Sequence, residues 1–284
     1  MRVLISADME GATGVTCPAD VEPGTDSWTR MRPLFTSDVN AVVEGLFAGG
    51  ATDVLVNDAH YMQRNLLLEA LDPRARLLTG RHKPLGMMQG ADRADAVVFL
   101  GYHTGAGQQG VLSHTYLGAG LTAFRIDGEP ADEGRMNALL AEQYEVPVIL
   151  VTGDDLVCEA AQVWVPGVRT AAVKECVSRY AAICLPPLRS AELLRTRAEE
   201  AARDHGTSSA QDSSSGSRRG GVRHHRFELD FHAPHLAAAV LAVPTTEPNG
   251  PCGIAFTAPD ATTAARTFKV CTIVAGAAME EHFD

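Results

Sequence analysis

Four short apolar runs recur along the chain, and each stops abruptly at a polar cluster. Val3 to Ser6 stops at Asp8-Met9-Glu10-Gly11, and Asp53 to Val56 at Asn57-Asp58-Ala59-His60. Asp95 to Leu100 runs directly into Gly101-Tyr102-His103, and Val146 to Thr152 into Gly153-Asp154-Asp155. Uninterrupted runs of this length read as strands covered on both faces, as in a parallel sheet sandwiched by helices. The intervening segments carry helical spacing. Val39, Val42, Val43, Leu46 and Phe47 recur at that spacing between a Thr36 or Ser37 cap and Gly49-Gly50, and a further helix is expected from about Asp132 to Tyr144. This β-α-β order implies right-handed crossovers and an α/β fold with a Rossmann-like parallel sheet.

The texture changes in the second half. A strand at Thr170 to Val173 is expected, then a break at Pro186-Pro187 and a Ser190-capped helix through about Arg203. Residues 206–221, rich in Ser, Gly and Arg, cannot bury apolar surface and read as a flexible loop. Phe227 to Phe231 reads as a strand, Leu236 to Val243 as a helix-to-strand passage, and Ala261 to Ala278 as a closing helix. The expected organisation is therefore a metal-binding α/β domain over residues 1–165 and a smaller α+β domain over residues 166–284.

In an open parallel sheet, ligands bind beyond the carboxyl ends of the strands. Here those ends carry Asp8 and Glu10, then His60, then His103, with Glu133 at the start of a crossover helix. Neutral imidazoles with carboxylates suit zinc or a similar divalent ion, and a carboxylate can bridge a pair of ions. Taken singly, each residue has a structural explanation as a cap or a loop polar group. Their placement at successive strand ends gives them one common edge. His114, in Leu112-Ser113-His114-Thr115, is open to three readings: a ligand, an acid or base, or a polar loop residue, and spacing alone favours the last. His224 and His225 adjoin the polar loop and read as solvated.

Composition narrows the function further. The net charge of -11 disfavours phosphate backbones as partners, so nucleic-acid binding is not expected. No apolar run approaches the roughly 20 residues of a membrane span, and Val3 to Ile5 is too short for a secretory signal, so the expected compartment is the cytoplasm. Six scattered cysteines without a CxxC pair read as free thiols. No HExxH helix, Gly-x-Ser-x-Gly elbow, Walker A loop or dinucleotide fingerprint is present.

Ser6-Ala7-Asp8-Met9-Glu10-Gly11 resembles the SxDxEG signature of the zinc D-aminopeptidases of the DppA type, peptidase family M55. The blocks around Leu55 to His60, Phe99 to His103, Val111 to His114, Glu133 to Ala138 and Val146 to Asp155 resemble that family in its order, as do Ala172 to Glu175 and Ser178 to Ala181. The resemblance implies metal ligands at Asp8, Glu10, His60, His103 and Glu133. It implies two zinc ions with Asp8 bridging them, and His114 as a catalytic group. It also implies a homo-oligomer of pentameric rings stacked as a decamer. The expected activity is release of amino-terminal residues, preferably D-residues, from short peptides or amino-acid amides. Two rival readings keep the metal: an amidohydrolase or esterase acting on a small non-peptide substrate, and a non-catalytic peptide-binding protein.

Overall fold

The computed structural model describes residues 1–212 and 224–279. In chain order the strands are β1 (Arg2–Ala7), β2 (Asp53–Asp58), β3 (Ala75–Leu78), β4 (Ala96–Tyr102), β5 (Leu121–Ile126), β6 (Glu129–Pro130), β7 (Val148–Asp154), β8 (Arg169–Ser178), β9 (Ala181–Cys184), β10 (His225–Phe231), β11 (Glu247–Pro248) and β12 (Gly253–Ala258). The α-helices are α1 (Asp26–Ala48), α2 (Glu133–Gln143), α3 (Asp155–Trp164), α4 (Pro187–Asp212), α5 (Pro234–Val240) and α6 (Ala261–Ala278).

Seven strands form one sheet in the order β3-β2-β1-β4-β7-β8-β9, parallel throughout except where β9 folds back on β8. The all-apolar runs occupy its middle: β4 and β7 are buried along their whole length, and β1 along all but Arg2. Five further strands form an antiparallel sheet, β11-β12-β10-β5-β6. Here the apolar residues alternate, as Phe227, Leu229 and Phe231 do on β10, because only one face is covered. Sheet membership crosses residue 165 in both directions. β5 and β6 belong to the second sheet, whereas β8 and β9 complete the first.

Several boundaries differ from those the spacing suggests. Helix α1 starts at Asp26, where Thr25 Oγ1 accepts the Trp28 backbone N–H at 3.0 Å, a full ten residues before the expected Thr36 cap. Pro33 sits inside this helix. A proline there costs about 3 kcal/mol, and the buried Met31 and Phe35 on either side of it offset that cost. Helix α4 starts at Pro187 rather than at a Ser190 cap, and Ser190 Oγ is buried without a hydrogen-bond partner. Of the expected loop at 206–221, residues 206–212 continue α4 and the rest lies outside the described residues. In the expected passage from Leu236 to Val243 only the helix α5 forms, and the next strand, β11, begins at Glu247.

Helices α1 and α4 pack along one face of the seven-stranded sheet, and two glycines set how closely. A Cβ at Gly45 would lie 2.1 Å from the Arg195 carbonyl oxygen, and one at Gly49 would lie 2.5 Å from Ala202 Cβ. The loops at the carboxyl ends of the central strands are stitched with equal closeness. Asp8 N–H donates to Leu100 O at 2.8 Å, Gly11 N–H to Gly101 O at 2.7 Å, and Ala59 N–H to Ala7 O at 2.8 Å. Gly101, at φ +71°, has its missing Cβ position 2.1 Å from Asp8 O, so no other residue fits there.

Candidate metal centre

Asp8 and Glu10 leave the end of β1, His60 follows β2, His103 follows β4, and Glu133 opens α2. Their side chains converge. His60 Nδ1 lies 2.9 Å from Glu10 Oε2 and 3.3 Å from Asp8 Oδ1, while His103 Nε2 lies 3.5 Å from Asp8 Oδ2 and 3.7 Å from Glu133 Oε1. His114 Nε2 reaches Glu10 Oε1 at 3.6 Å, and its ring stacks on that of His103 at 4.3 Å and 3°. Two compact triads result, Asp8-Glu10-His60 and Asp8-His103-Glu133, and Asp8 is common to both. A third group, Glu10-His103-His114, overlaps them. All of these residues are buried except His114, whose side chain is 18% exposed and stands at the mouth.

The hydrogen bonds around the cluster show what belongs inside it. Each imidazole spends its outer nitrogen on a backbone carbonyl: His60 Nε2 donates to Val21 O at 2.8 Å, His103 Nδ1 to Thr104 O at 2.9 Å, and His114 Nδ1 to Leu112 O at 2.8 Å. Those donations leave each inner nitrogen facing carboxylate oxygens, where it either carries a further proton or offers a lone pair. A proton or a metal cation must lie between such a nitrogen and the carboxylates, because a bare lone pair against an anion is repulsive. A histidine with its outer N–H bonded to a carbonyl is also the usual arrangement of a metal ligand. Asp8 Oδ2 and Glu10 Oε2 are buried and accept no hydrogen bond, with only imidazole nitrogens near them, as oxygens that ligate a metal would be. The donor set, three carboxylates and three imidazoles, fits zinc.

Proton affinities tell the same story for the cluster alone. Burial first, and the Glu10 charge second, push the Asp8 carboxyl up to about 7. Burial and then Asp8 push Glu133 well above the carboxylate range. Glu10 feels the same burial, but His60, His103 and His114 pull it well below that range. Burial disfavours a charged His60, yet Glu10 and Asp8 hold its proton far above the usual imidazole value. Burial and then His114 push His103 down to about 4, so its ring is neutral and available as a ligand at neutral pH.

A sequence model of the D-aminopeptidase family, peptidase M55, matches residues 1–270. The chain belongs to that family. It is 40% identical over 195 residues to a D-aminopeptidase of Bacillus subtilis (strain 168), an alignment covering 68% of this chain and 71% of that one. Its fold superposes on the solved Zn-dependent D-aminopeptidase DppA from Bacillus subtilis, a self-compartmentalizing protease, with a TM-score of 0.89, 33% identity and full coverage of both chains.

Other polar residues at the strand ends of this family member serve the frame. Asp58 grips the chain after His60, accepting from Asn65 N at 2.5 Å, Asn65 Nδ2 at 2.8 Å and Leu66 N at 2.9 Å. Asp154 caps α3 through Val157 N at 2.8 Å, and its second oxygen accepts Val111 N at 2.7 Å, tying down the loop that carries His114. Glu133 Oε1 accepts Tyr116 N at 2.9 Å, so one ligand candidate is steadied by the same loop. Spacing gives no sign of the bonds from Val111 to Asp154 and from Tyr116 to Glu133, which join segments 43 and 17 residues apart. His224 and His225 lie elsewhere, with His225 Nδ1 2.7 Å from Asp127 Oδ2 beside the second sheet.

Proposed function

We propose that this chain is a zinc-dependent aminopeptidase that releases amino-terminal residues, D-residues by preference, from short peptides or amino-acid amides. The observation that carries the reading is the pair of donor triads sharing Asp8. Asp8, Glu10 and His60 would hold one zinc ion, and Asp8, His103 and Glu133 a second. When bound, the ions supply Lewis acidity toward the scissile carbonyl and a water acidified toward neutral pH. The D-aminopeptidase relative and the Zn-dependent structural neighbour support the same activity.

The protein's own side chains supply the rest. With Nδ1 committed to Leu112 O, His114 presents Nε2 at the mouth, where it takes a proton from the attacking water and returns it to the leaving amine. Stacking on His103 and the carbonyl bond at Nδ1 fix that ring, with Glu10 Oε1 3.6 Å from its Nε2. Asp154, through Val111, holds the backbone from which His114 projects. The chemical step therefore needs the His114 ring held beside the ligand candidates.

The reading extends to assembly and place. A homo-oligomer of pentameric rings stacked as a decamer is supported by the self-compartmentalizing neighbour and by the edge hairpin β8–β9, where Val177, Tyr180 and Ile183 are exposed, together with Leu188 in the first turn of α4. A cytoplasmic location is supported by six unpaired cysteines. No helix among the described residues is long and apolar enough to cross a membrane.

Hydrolysis of D-alanine amide and L-alanine amide, before and after chelation and with zinc restored, tests the activity. Chelator-sensitive turnover favouring the D-amide is expected. Inert D-amides alongside cleaved esters or lactams would move the function to another amidohydrolase.

A further inference from the structure

Only three of the 24 lysine and arginine side chains are lysines: Lys83, Lys174 and Lys269. Two of them are buried, and each ends on the backbone of a segment that carries a candidate ligand. Lys83 Nζ donates to Asp58 O at 2.6 Å and to Asn57 Oδ1, just ahead of His60. Lys174, on β8 and only 2% exposed, donates to three carbonyls of a single loop: Glu10 O at 2.6 Å, Ala12 O at 3.0 Å and Val15 O at 2.7 Å.

An ammonium carries three N–H bonds in a compact fan, and here all three are spent on the loop after β1. A guanidinium, planar and wider, cannot converge three donors on one point in that way. Among the described residues Lys174 has no carboxylate within ion-pair distance; Asp154, Asp38 and Glu10 influence it from farther off, and burial pushes it down to about 8. A buried charge without a contact ion pair is costly, so the carbonyl bonds must offset the loss of water.

The same loop is gripped from two other sides. Asp38, buried in α1, accepts Thr13 N at 2.8 Å through Oδ2 and Thr13 Oγ1 at 2.9 Å through Oδ1. Gly11 N–H donates to Gly101 O at 2.7 Å, and the absent Cβ of Gly11 leaves room for Tyr102 O, which would otherwise be 2.1 Å away. Donors of the loop therefore meet Asp38 and β4, while its acceptors meet Lys174.

We infer that Lys174 is a positioning residue for the metal centre: its ammonium, seated on the carbonyls of Glu10, Ala12 and Val15, holds Glu10 in place before any ion arrives. The inference rests on the zinc reading proposed above. An ion entering a held loop has little chain to order, so affinity depends on a residue that never touches the ion.

The zinc affinity of the full chain, measured by competition with a chromogenic chelator, and the absorption spectrum of the cobalt-substituted protein test this directly. Lys174→Met is expected to bind zinc about 10- to 100-fold more weakly and to change the cobalt spectrum. Lys174→Gln, which keeps two N–H donors without the charge, is expected to fall between it and the wild type. Val240→Ala, a cavity in the second sheet's core, lowers stability without touching the loop and is expected to keep wild-type zinc affinity. A folded Lys174→Met with wild-type affinity and spectrum overturns the inference. If that variant does not fold, amide exchange at residues 10–15 of the unaltered chain decides. Equal protection with and without zinc supports a loop held in advance, and protection gained only on zinc loading overturns it. A wild-type chain that takes up no zinc overturns the metal reading itself, a result distinct from an indifferent Lys174→Met.

Discussion

At the scale of single residues, the division of labour at the site follows from burial and from where each outer nitrogen is spent. His60 and His103 are enclosed with their inner nitrogens against carboxylates, whereas His114 alone among the three is open to the mouth. His114→Ala is therefore expected to retain the zinc content of the wild type while kcat for D-alanine amide falls about 10²- to 10⁴-fold, the usual worth of an acid–base group. Parallel loss of zinc, read by elemental analysis, would instead make His114 a ligand. Proton competition gives a second expectation. Asp8, pushed up to about 7, and the strongly proton-holding His60 must both give up protons to serve as ligands. Zinc affinity should thus fall as pH drops through about 7 and rise above it, with protons released on binding. Calorimetry at pH 6 and pH 8, in buffers of different ionisation enthalpy, reads both the affinity and the proton count; an affinity independent of pH would contradict the shifts.

At the scale of elements, the central sheet and the ligand edge were legible because their signals are local. The apolar runs of β1, β2, β4 and β7 and the helices α2 and α6 lie where the spacing puts them. The start of α1 was not legible, because Pro33 and the Pro- and Gly-rich approach to it read as loop, and only burial of Met31 and Phe35 against the sheet reveals why the helix tolerates them. Strand β5 hides for a related reason: its longer pairing is with β10, about a hundred residues further along the chain. Asp8, Glu10, His60, His103 and Glu133 were marked by position at strand and helix ends, whereas Lys174 and Asp38 act across tertiary contacts that no spacing encodes. The contact between α1 and α4 is also testable. With a Cβ at Gly45 forced to 2.1 Å from the Arg195 carbonyl, Gly45→Val is expected to destabilise the fold by about 1–3 kcal/mol in urea unfolding, with unchanged unfolding slope. A neutral result would mean that the helices part without cost.

At the scale of the whole molecule, the two sheets interleave in sequence, so the segment carrying His114 leaves the seven-stranded sheet at β4 and enters the antiparallel one at β5. The edge with the candidate ligands thereby lies between the sheet that supplies most of them and the connection that supplies His114. The β8–β9 hairpin lies at the open edge of the larger sheet and touches this connection, since Leu112 N–H donates to Arg179 O at 2.8 Å. Assembly through that edge would thus bear on the active site as well as on size. Sedimentation of Ile183→Asp combined with Leu188→Asp, both exposed positions, is expected to show smaller species than the wild type, and an unchanged mass would place the subunit contacts elsewhere. The central claim, a shared two-metal centre, is tested most directly by counting zinc per chain in purified wild type and in Asp8→Ala by native mass spectrometry. The account predicts two ions in the wild type and loss of both when the shared carboxylate is removed. Two ions retained in folded Asp8→Ala, or none in the wild type, would contradict it.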